Sequence, residues 1–265
     1  MTALKDEITT THGAPQRPLR IFLVAGEHSG DLLGGKLLEA LHELATAAGE
    51  PPPVVAGVGG EAMQASGLES LFPLADVAVM SPLEILRRLP ALARRVHQTV
   101  DAAVAFAPNV LVIIDSPEFT HPIARRIRRR ARDIPIVDYV SPSVWAWRPG
   151  RAKRMRAYID QVMALLPFEP EVHARLGGPP CTYVGHPLIE RLDEIAAADP
   201  AALRRELDFV SDRKTLLILP GSRRSEVGRL MQPFGGALAA VADRIGPVNA
   251  VLPVVDSVHD LVLEL

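Results

Sequence analysis

Cysteine is the scarcest resource in this 265-residue chain, which carries only Cys181. One thiol excludes an internal disulfide framework and any multi-cysteine metal site, and here it reads as half-buried near the start of a strand. Long hydrophobic runs are also missing. The most apolar window, residues 102–114, contains Pro108 and Asn109 and falls short of the roughly 20 residues a bilayer-spanning helix needs. No secretory leader is visible, because Lys5 is followed by Asp6 and Glu7 rather than by an apolar core. These absences predict a cytoplasmic protein that does not cross a membrane. What is present, 48% hydrophobic and 23% charged residues, is the composition of a soluble globular protein long enough for two ordinary domains or one large one.

Charge of one sign is lacking overall, with a net of −2, yet it is unevenly spread. Residues 81–160 hold fifteen Arg and Lys against seven Asp and Glu. A basic middle on a mildly acidic chain points to an anionic partner for one face. Phosphates on a substrate, lipid head groups and nucleic acid all satisfy that description.

Apolar periodicity orders the chain. Residues 1–18 are polar, with Gly13, Pro15 and Pro18, and are expected to be a disordered lead-in. Strands are predicted at 19–25, 54–58, 110–115, 134–140, 161–166 and 182–184, alternating with helices at about 32–45, 61–66, 83–100 and 123–132. Ser29 or Asp31 is placed to cap the first of these helices. Such alternation implies an α/β fold with a doubly wound parallel sheet. An acidic, alanine-rich stretch between Pro187 and Pro200 marks a boundary. Beyond it the pattern restarts with strands at 215–219 and 250–255 and a helix from about Glu226. The expected organisation is a first Rossmann-like domain over 19–190 and the beginning of a second over 200–265. Sixty-odd residues do not close an α/β domain, so the chain is expected to be a fragment.

The richest stretch is Tyr139-Val-Ser-Pro-Ser-Val-Trp-Ala-Trp-Arg148-Pro-Gly-Arg151, which follows a predicted strand and holds both tryptophans of the chain. In open parallel sheets, ligands bind where the strands end at their carboxyl termini. Asp115 ends another strand amid Ser116, Glu118 and His121, where a carboxylate can take a proton from a hydroxyl. Pro220-Gly-Ser222-Arg223 lies at a strand-to-helix turn, which offers backbone N–H groups and a guanidinium to an anion. Two other glycine patterns are weaker. Gly30-Asp-Leu-Leu-Gly-Gly35-Lys36 fits a phosphate-loop spacing but continues into Leu37 inside a helical pattern. Gly57-Val-Gly-Gly60 follows the second strand rather than the first, so a tight turn with close helix packing is the better reading.

Taken together, Ala25-Gly-Glu-His-Ser29-Gly-Asp31, Ala78-Val-Met80 with Glu84, Ile114-Asp-Ser-Pro117, the segment Tyr139 to Arg148, Leu166-Pro-Phe-Glu169, Val184-Gly-His186 and Leu219-Pro-Gly-Ser-Arg223 resemble the lipid-A-disaccharide synthase family, in that order and over nearly the whole chain. The resemblance implies an inverting, metal-independent glycosyltransferase of the GT-B type, with the reaction between two Rossmann-like domains and no cofactor. It implies UDP-2,3-diacylglucosamine as donor and 2,3-diacylglucosamine 1-phosphate as acceptor, giving the β-1,6-linked disaccharide 1-phosphate of lipid A and UDP. Asp115 then matches an aspartate that activates the acceptor's 6-hydroxyl, and Arg223, with Ser222, an arginine near the UDP diphosphate. Ser29, Glu118, Trp145, Trp147 and Arg148 match motifs that line the substrate cleft.

This sequence departs from the family where Glu118-Phe119-Thr120 replaces Asp-Phe-Asn, keeping the charge and losing the amide. The family's sequences also continue well past Leu265 and pair as homodimers in their full-length form. Acylated substrates imply peripheral association with the inner membrane. Leu83, Leu86, Leu89 and Leu92, flanked by Arg87 and Arg88, would suit a helix lying in the interface. A helix docked on the sheet is the plainer reading of that periodicity. No recognised nucleic-acid motif accompanies the basic run, so nucleic acid is not expected as a partner. Two other readings stay open: another UDP-N-acetylglucosamine enzyme of the same fold, of the lipid II transferase or 2-epimerase type, and a non-catalytic lipid-binding fragment.

Overall fold

The computed structural model describes residues 17–77, 82–222, 224–255 and 258–265, with the backbone alone over 82–88. The expected lead-in up to residue 16, Ala78 to Met80 and Arg223 lie outside the described residues. The chain divides into two compact units, Met1–Ala78 with Ala91–Pro187, and Val79–Pro90 with Leu188–Leu265.

In the first unit, β1 (Arg20–Ala25), β2 (Val54–Val58), β3 (Val110–Ile114), β4 (Ile136–Tyr139), β5 (Gln161–Ala164) and β6 (Cys181–Tyr183) form one parallel sheet in the order β2-β1-β3-β4-β5-β6. Between them run α1 (His28–Ala48), α2 (Glu61–Ala65), α3 (Pro82–Phe106, which belongs to this unit from Ala91 onward), α4 (Pro117–Arg130), α5 (Gly150–Met155) and α6 (Glu169–Arg175). The continuous apolar runs Ile21 to Ala25 and Leu111 to Ile114 become the central strands because a parallel sheet is covered on both faces. Each face carries its own core. Ile21, Leu23, Leu38 and Met63 belong to one, and Phe22, Val24, Val96, Val100, Ile123 and Ile127 to the other. Burying one such side chain contributes about 1.5–3 kcal/mol. The order reverses between β1 and β3, and that reversal is the switch point where doubly wound sheets open a crevice.

The second unit pairs β7 (Thr215–Leu217) with β8 (Asn249–Val251) in parallel, beside α7 (Leu192–Ala196), α8 (Pro200–Glu206), α9 (Arg224–Ile245) and α10 (His259–Glu264). Asp199 caps α8 by accepting the Ala201 N–H at 2.8 Å. The fold is thus α/β, built on parallel sheets.

The structure corrects the expected cap of α1. That helix begins after Glu27 with no side-chain cap, although Ser29 and Asp31 both sit in its first turn. Asp31 is fully buried and reaches across to the start of α2. Its carboxylate accepts the N–H groups of Gly60 (2.7 Å), Ala62 (3.0 Å) and Met63 (3.1 Å). The two glycine patterns serve this junction. A Cβ on Gly60 would lie 2.6 Å from an Asp31 oxygen, and one on Gly34 would lie 2.5 Å from the Met63 sulfur. The phosphate-loop spacing lies wholly inside α1, where Lys36 pairs with Glu39 at 2.7 Å.

Candidate functional site

At the switch point two neighbouring strands end in short turns that lead into helices. β1 runs into Gly26 and α1, and β3 runs into Asp115 and α4. Ser29, exposed in the first turn of α1, donates its hydroxyl to Oδ2 of Asp115 at 3.0 Å. Oδ1 of Asp115 accepts the Ser116 N–H at 2.7 Å, and its carbonyl accepts the Thr120 hydroxyl at 2.8 Å. The half-exposed carboxylate is held on both oxygens and still borders solvent.

The backbone here is strained. Asp115 and Ser116 have φ of 53° and 44°, and Val140, at the end of the neighbouring β4, has φ of 82°. Non-glycine residues in this left-handed region cost about 1–3 kcal/mol each, and a β-branched one is an outlier. Val140 ends β4 earlier than apolarity alone predicted, and its N–H bonds to the Met163 carbonyl at 3.0 Å.

Beyond Val140 the tryptophan segment is anchored from below. Ser141 is buried, and its Oγ lies 2.8 Å from Nε2 of the fully buried His173 on α6. Glu169, one turn earlier on α6, accepts the Leu166 N–H at 3.0 Å. Burial raises the Glu169 carboxyl above its ordinary 4.5, opposed by hydrogen bonds from the Leu166 and Leu165 backbone and the Trp145 and Ser141 side chains. Burial lowers the His173 imidazole below 6.5, with the nearby Asp138 charge opposing. A proton on Nδ1 would be a buried donor with no acceptor, since that atom has no hydrogen-bond partner. Trp145 packs edge-on against Phe168 with ring centroids 5.4 Å apart. Trp147 is 63% exposed, with the Arg148 guanidinium 4.8 Å from its ring centre. Glu118, exposed on α4, pairs with Arg151 at 2.7 Å.

Ser29, Asp115, Glu118, Trp145, Trp147 and Arg148 therefore all lie on loops and first turns in the first unit, where Ser29 touches Asp115 and Arg148 stacks on its neighbour Trp147. Ser222 belongs to the second unit, where its N–H points at the Glu226 carboxylate at 3.3 Å and Gly221 takes φ of 104°. On α3, Leu89 is 49% exposed, Leu92 is half-buried against the core, and Val96 is fully in it. The expected lipid-facing stripe thus turns into the sheet from Leu92 onward, because the same periodicity docks the helix. The side chains of Leu83, Leu86, Arg87 and Arg88 lie outside the described residues. Sequence reasoning assigned no role to Ser141 or His173, and quoted Glu169 without one. The spacing of Glu169 and His173 on one helix face was the available signal.

The sequence model of the family described as LpxB, lipid-A-disaccharide synthetase, matches residues 21–265. The chain belongs to this family. It is 50% identical over 234 residues to the lipid-A-disaccharide synthase of Nitrobacter winogradskyi, covering 88% of this chain and 57% of that protein. It is 49% identical to that of Rhodopseudomonas palustris strain HaA2, covering 92% and 60%. It is 44% identical to that of Rhodospirillum centenum, covering 94% and 60%. The chain thus spans under two thirds of the length of these relatives. Among solved structures it resembles UDP-GlcNAc 2-epimerase from Neisseria meningitidis bound to UDP-GlcNAc, with TM-score 0.58 and 14% identity over 91% of this chain and 67% of that one. The enzyme of Methanocaldococcus jannaschii gives 0.57 and 11% over 93% and 68%. At such identities the likeness carries the fold alone, which is of the GT-B type.

Proposed function

We propose that the chain forms part of a glycosyltransferase that condenses UDP-2,3-diacylglucosamine with 2,3-diacylglucosamine 1-phosphate. Asp115 is the general base. Its carboxylate takes the proton of the acceptor's 6-hydroxyl as that oxygen attacks the anomeric carbon of the donor. The bond to UDP breaks with inversion, giving the β-1,6 disaccharide 1-phosphate and UDP. The Ser29 hydroxyl and the Ser116 N–H hold the carboxylate in register, so it needs no reorganisation when the hydroxyl arrives. Arg223 and the turn at Ser222 take the charge that develops on the departing diphosphate. Trp145, Trp147 and Arg148 form one wall of the acceptor site, and Glu118 fixes that wall through Arg151. No metal or cofactor is part of this reading. The first turns of α3, with Leu83, Leu86, Leu89, Arg87 and Arg88, are proposed to rest on the inner-membrane surface that supplies the acylated substrates. The full-length protein is proposed to work from the cytoplasmic side, as a homodimer.

The observation that carries this reading is the Ser29–Asp115 pair at the switch point, in a chain of this family. The experiment is Asp115→Asn in a protein of the relatives' full length, assayed for disaccharide formation. We expect kcat to fall by about 10²–10⁴ with KM little changed. Turnover at the parental rate would overturn the assignment of the base.

A further inference from the structure

Two residues beyond Asp115, from Pro117 onward, the surface opens into a pocket of about 520 Å³ in the first unit. That volume is within the roughly 300–1,000 Å³ typical of small-molecule sites. Its lining is unusual in charge. Arg125, Arg128 and Arg129 come from α4, and Arg148, Arg151 and Arg154 from the turn into α5 and its body. Both sets follow helical spacing, so each presents one arginine row, and the rows face a common space. Among the described residues, Glu118 is the only carboxylate in the lining, and it is already paired with Arg151. Arg128 is held by Asp160 and by the Ile134 carbonyl. Among the described residues, Arg129, Arg148 and Arg154 have no carboxylate partner.

The floor is preorganised. Arg125 donates to the Tyr158 hydroxyl at 3.0 Å and stacks 4.7 Å from the centre of its ring. That hydroxyl lies 3.0 Å from Nδ1 of the buried His121. Nε2 of His121 faces Oδ2 of the buried Asp138 at 3.3 Å, outside hydrogen-bond geometry. With the proton on Nε2, the phenol donates to His121 and accepts from Arg125, which fixes the direction of that guanidinium.

We propose that this pocket is a phosphate site that receives a sugar 1-phosphate, and that it holds the anionic end of the acceptor while Asp115 engages a hydroxyl. This rests on the reading of Asp115 given above. Guanidiniums without carboxylate partners grip phosphate oxygens in two-pronged hydrogen bonds. Six arginines around one pocket, only two of them paired with carboxylates among the described residues, repel each other until an anion enters. A small pocket open to solvent fits a compact monoester on a sugar, whereas a lipid head group offers the same chemistry from a planar surface.

The test is a titration of this chain with glucosamine 1-phosphate, followed by the fluorescence of Trp147 and Trp145. A saturable change is expected with the phosphate and none with glucosamine at equal concentration. The exposed, unpaired positions are changed together, Arg129→Gln with Arg154→Gln, and affinity is expected to fall at least tenfold. The charge-matched control, Arg132→Gln with Arg156→Gln, lies outside the lining and is expected to stay within twofold. Flotation on phosphatidylglycerol vesicles separates the two sources of phosphate and is expected to be the same for parent and pocket variant. Equal sugar-phosphate affinity in parent and pocket variant would overturn the proposal. So would loss of vesicle binding with sugar-phosphate binding retained, which would make the pocket a head-group contact. Failure of the base assignment shows in the turnover of Asp115→Asn, and failure of the pocket shows in the sugar-phosphate affinity of the arginine variant.

Discussion

Asp31→Ala tests whether a single carboxylate joins α1 to α2 and thereby sets the position of Ser29. In the folded chain that carboxylate accepts three N–H groups from the start of α2. These are orphan donors that no intrahelical carbonyl can satisfy. Leaving one buried donor without a partner costs about 1–3 kcal/mol, and the Met63 N–H is in that position. The Gly60 and Ala62 donors are part-buried, so water entering the vacated space recovers some of their loss. Relief of the buried charge offsets a little more. The expected net destabilisation is about 3 kcal/mol, read from the urea midpoint of the first unit by circular dichroism at constant m. Asp31→Asn should fall between, since an amide oxygen still accepts but carries no charge and turns a donor toward the other N–H groups. Because Ser29 lies half a turn away on the same helix, the alanine variant should also loosen the Ser29–Asp115 contact. A loss below about 1 kcal/mol for Asp31→Ala would mean that apolar packing of Leu38 and Met63 holds the junction and the carboxylate does not.

Two further outcomes follow from buried titratable groups. His173 has its proton affinity lowered in the fold, so below about pH 6.5 the unfolded chain takes up a proton that the folded chain refuses. Stability should therefore fall as pH drops from 6.5 through the folded value, and His173→Gln should flatten that slope by about 1 kcal/mol per pH unit in urea melts; an unchanged slope would refute it. Cys181 has its thiol pushed up to about 12 from 9.0, first by burial and then by the charges of Glu169 and Asp138. Alkylation at pH 7 should be about a thousandfold slower in the folded chain than in urea, and equal rates would refute the burial argument.

How much of this was readable beforehand depends on the range over which the physics acts. The strands showed as apolar runs because a parallel sheet hides both faces, and their order of appearance implied a doubly wound fold. Their ends were less legible. β4 stops at Tyr139 because Val140 adopts φ of 82°, a strain that nothing local in Ile134 to Val140 announces. Asp31 looked like a local cap, the commonest use of an aspartate in a first turn. Its true partners lie 29 to 32 residues away, a separation that propensity does not reach. The arginine rows were visible as charge, which pointed only to an anionic partner for one face. Their spacing in 125–129 and 148–154 repeats every third or fourth residue, and only the packing of α4 beside α5 turns two such rows into one pocket. Trp145 was singled out for its company, but its hydrogen bond to Glu169 needed the fold to bring α6 beneath it.

The strain at the switch point bears on why an aspartate stands at 115 at all. Glycine would relieve the left-handed backbone there and remove the carboxylate with it. Among residues with side chains, aspartate and asparagine tolerate this conformation best, because a short polar side chain can bond its own backbone. Asp115 does so through Oδ1 and the Ser116 N–H, which leaves Oδ2 turned toward Ser29. The same turn that costs energy thus orients the oxygen proposed to act as the base, and β3 is buried deeply enough between β1 and β4 to hold it. Asparagine would fit the backbone equally well and lack only the basic oxygen. Loss of turnover in Asp115→Asn, with the fold intact, therefore isolates proton transfer from conformation.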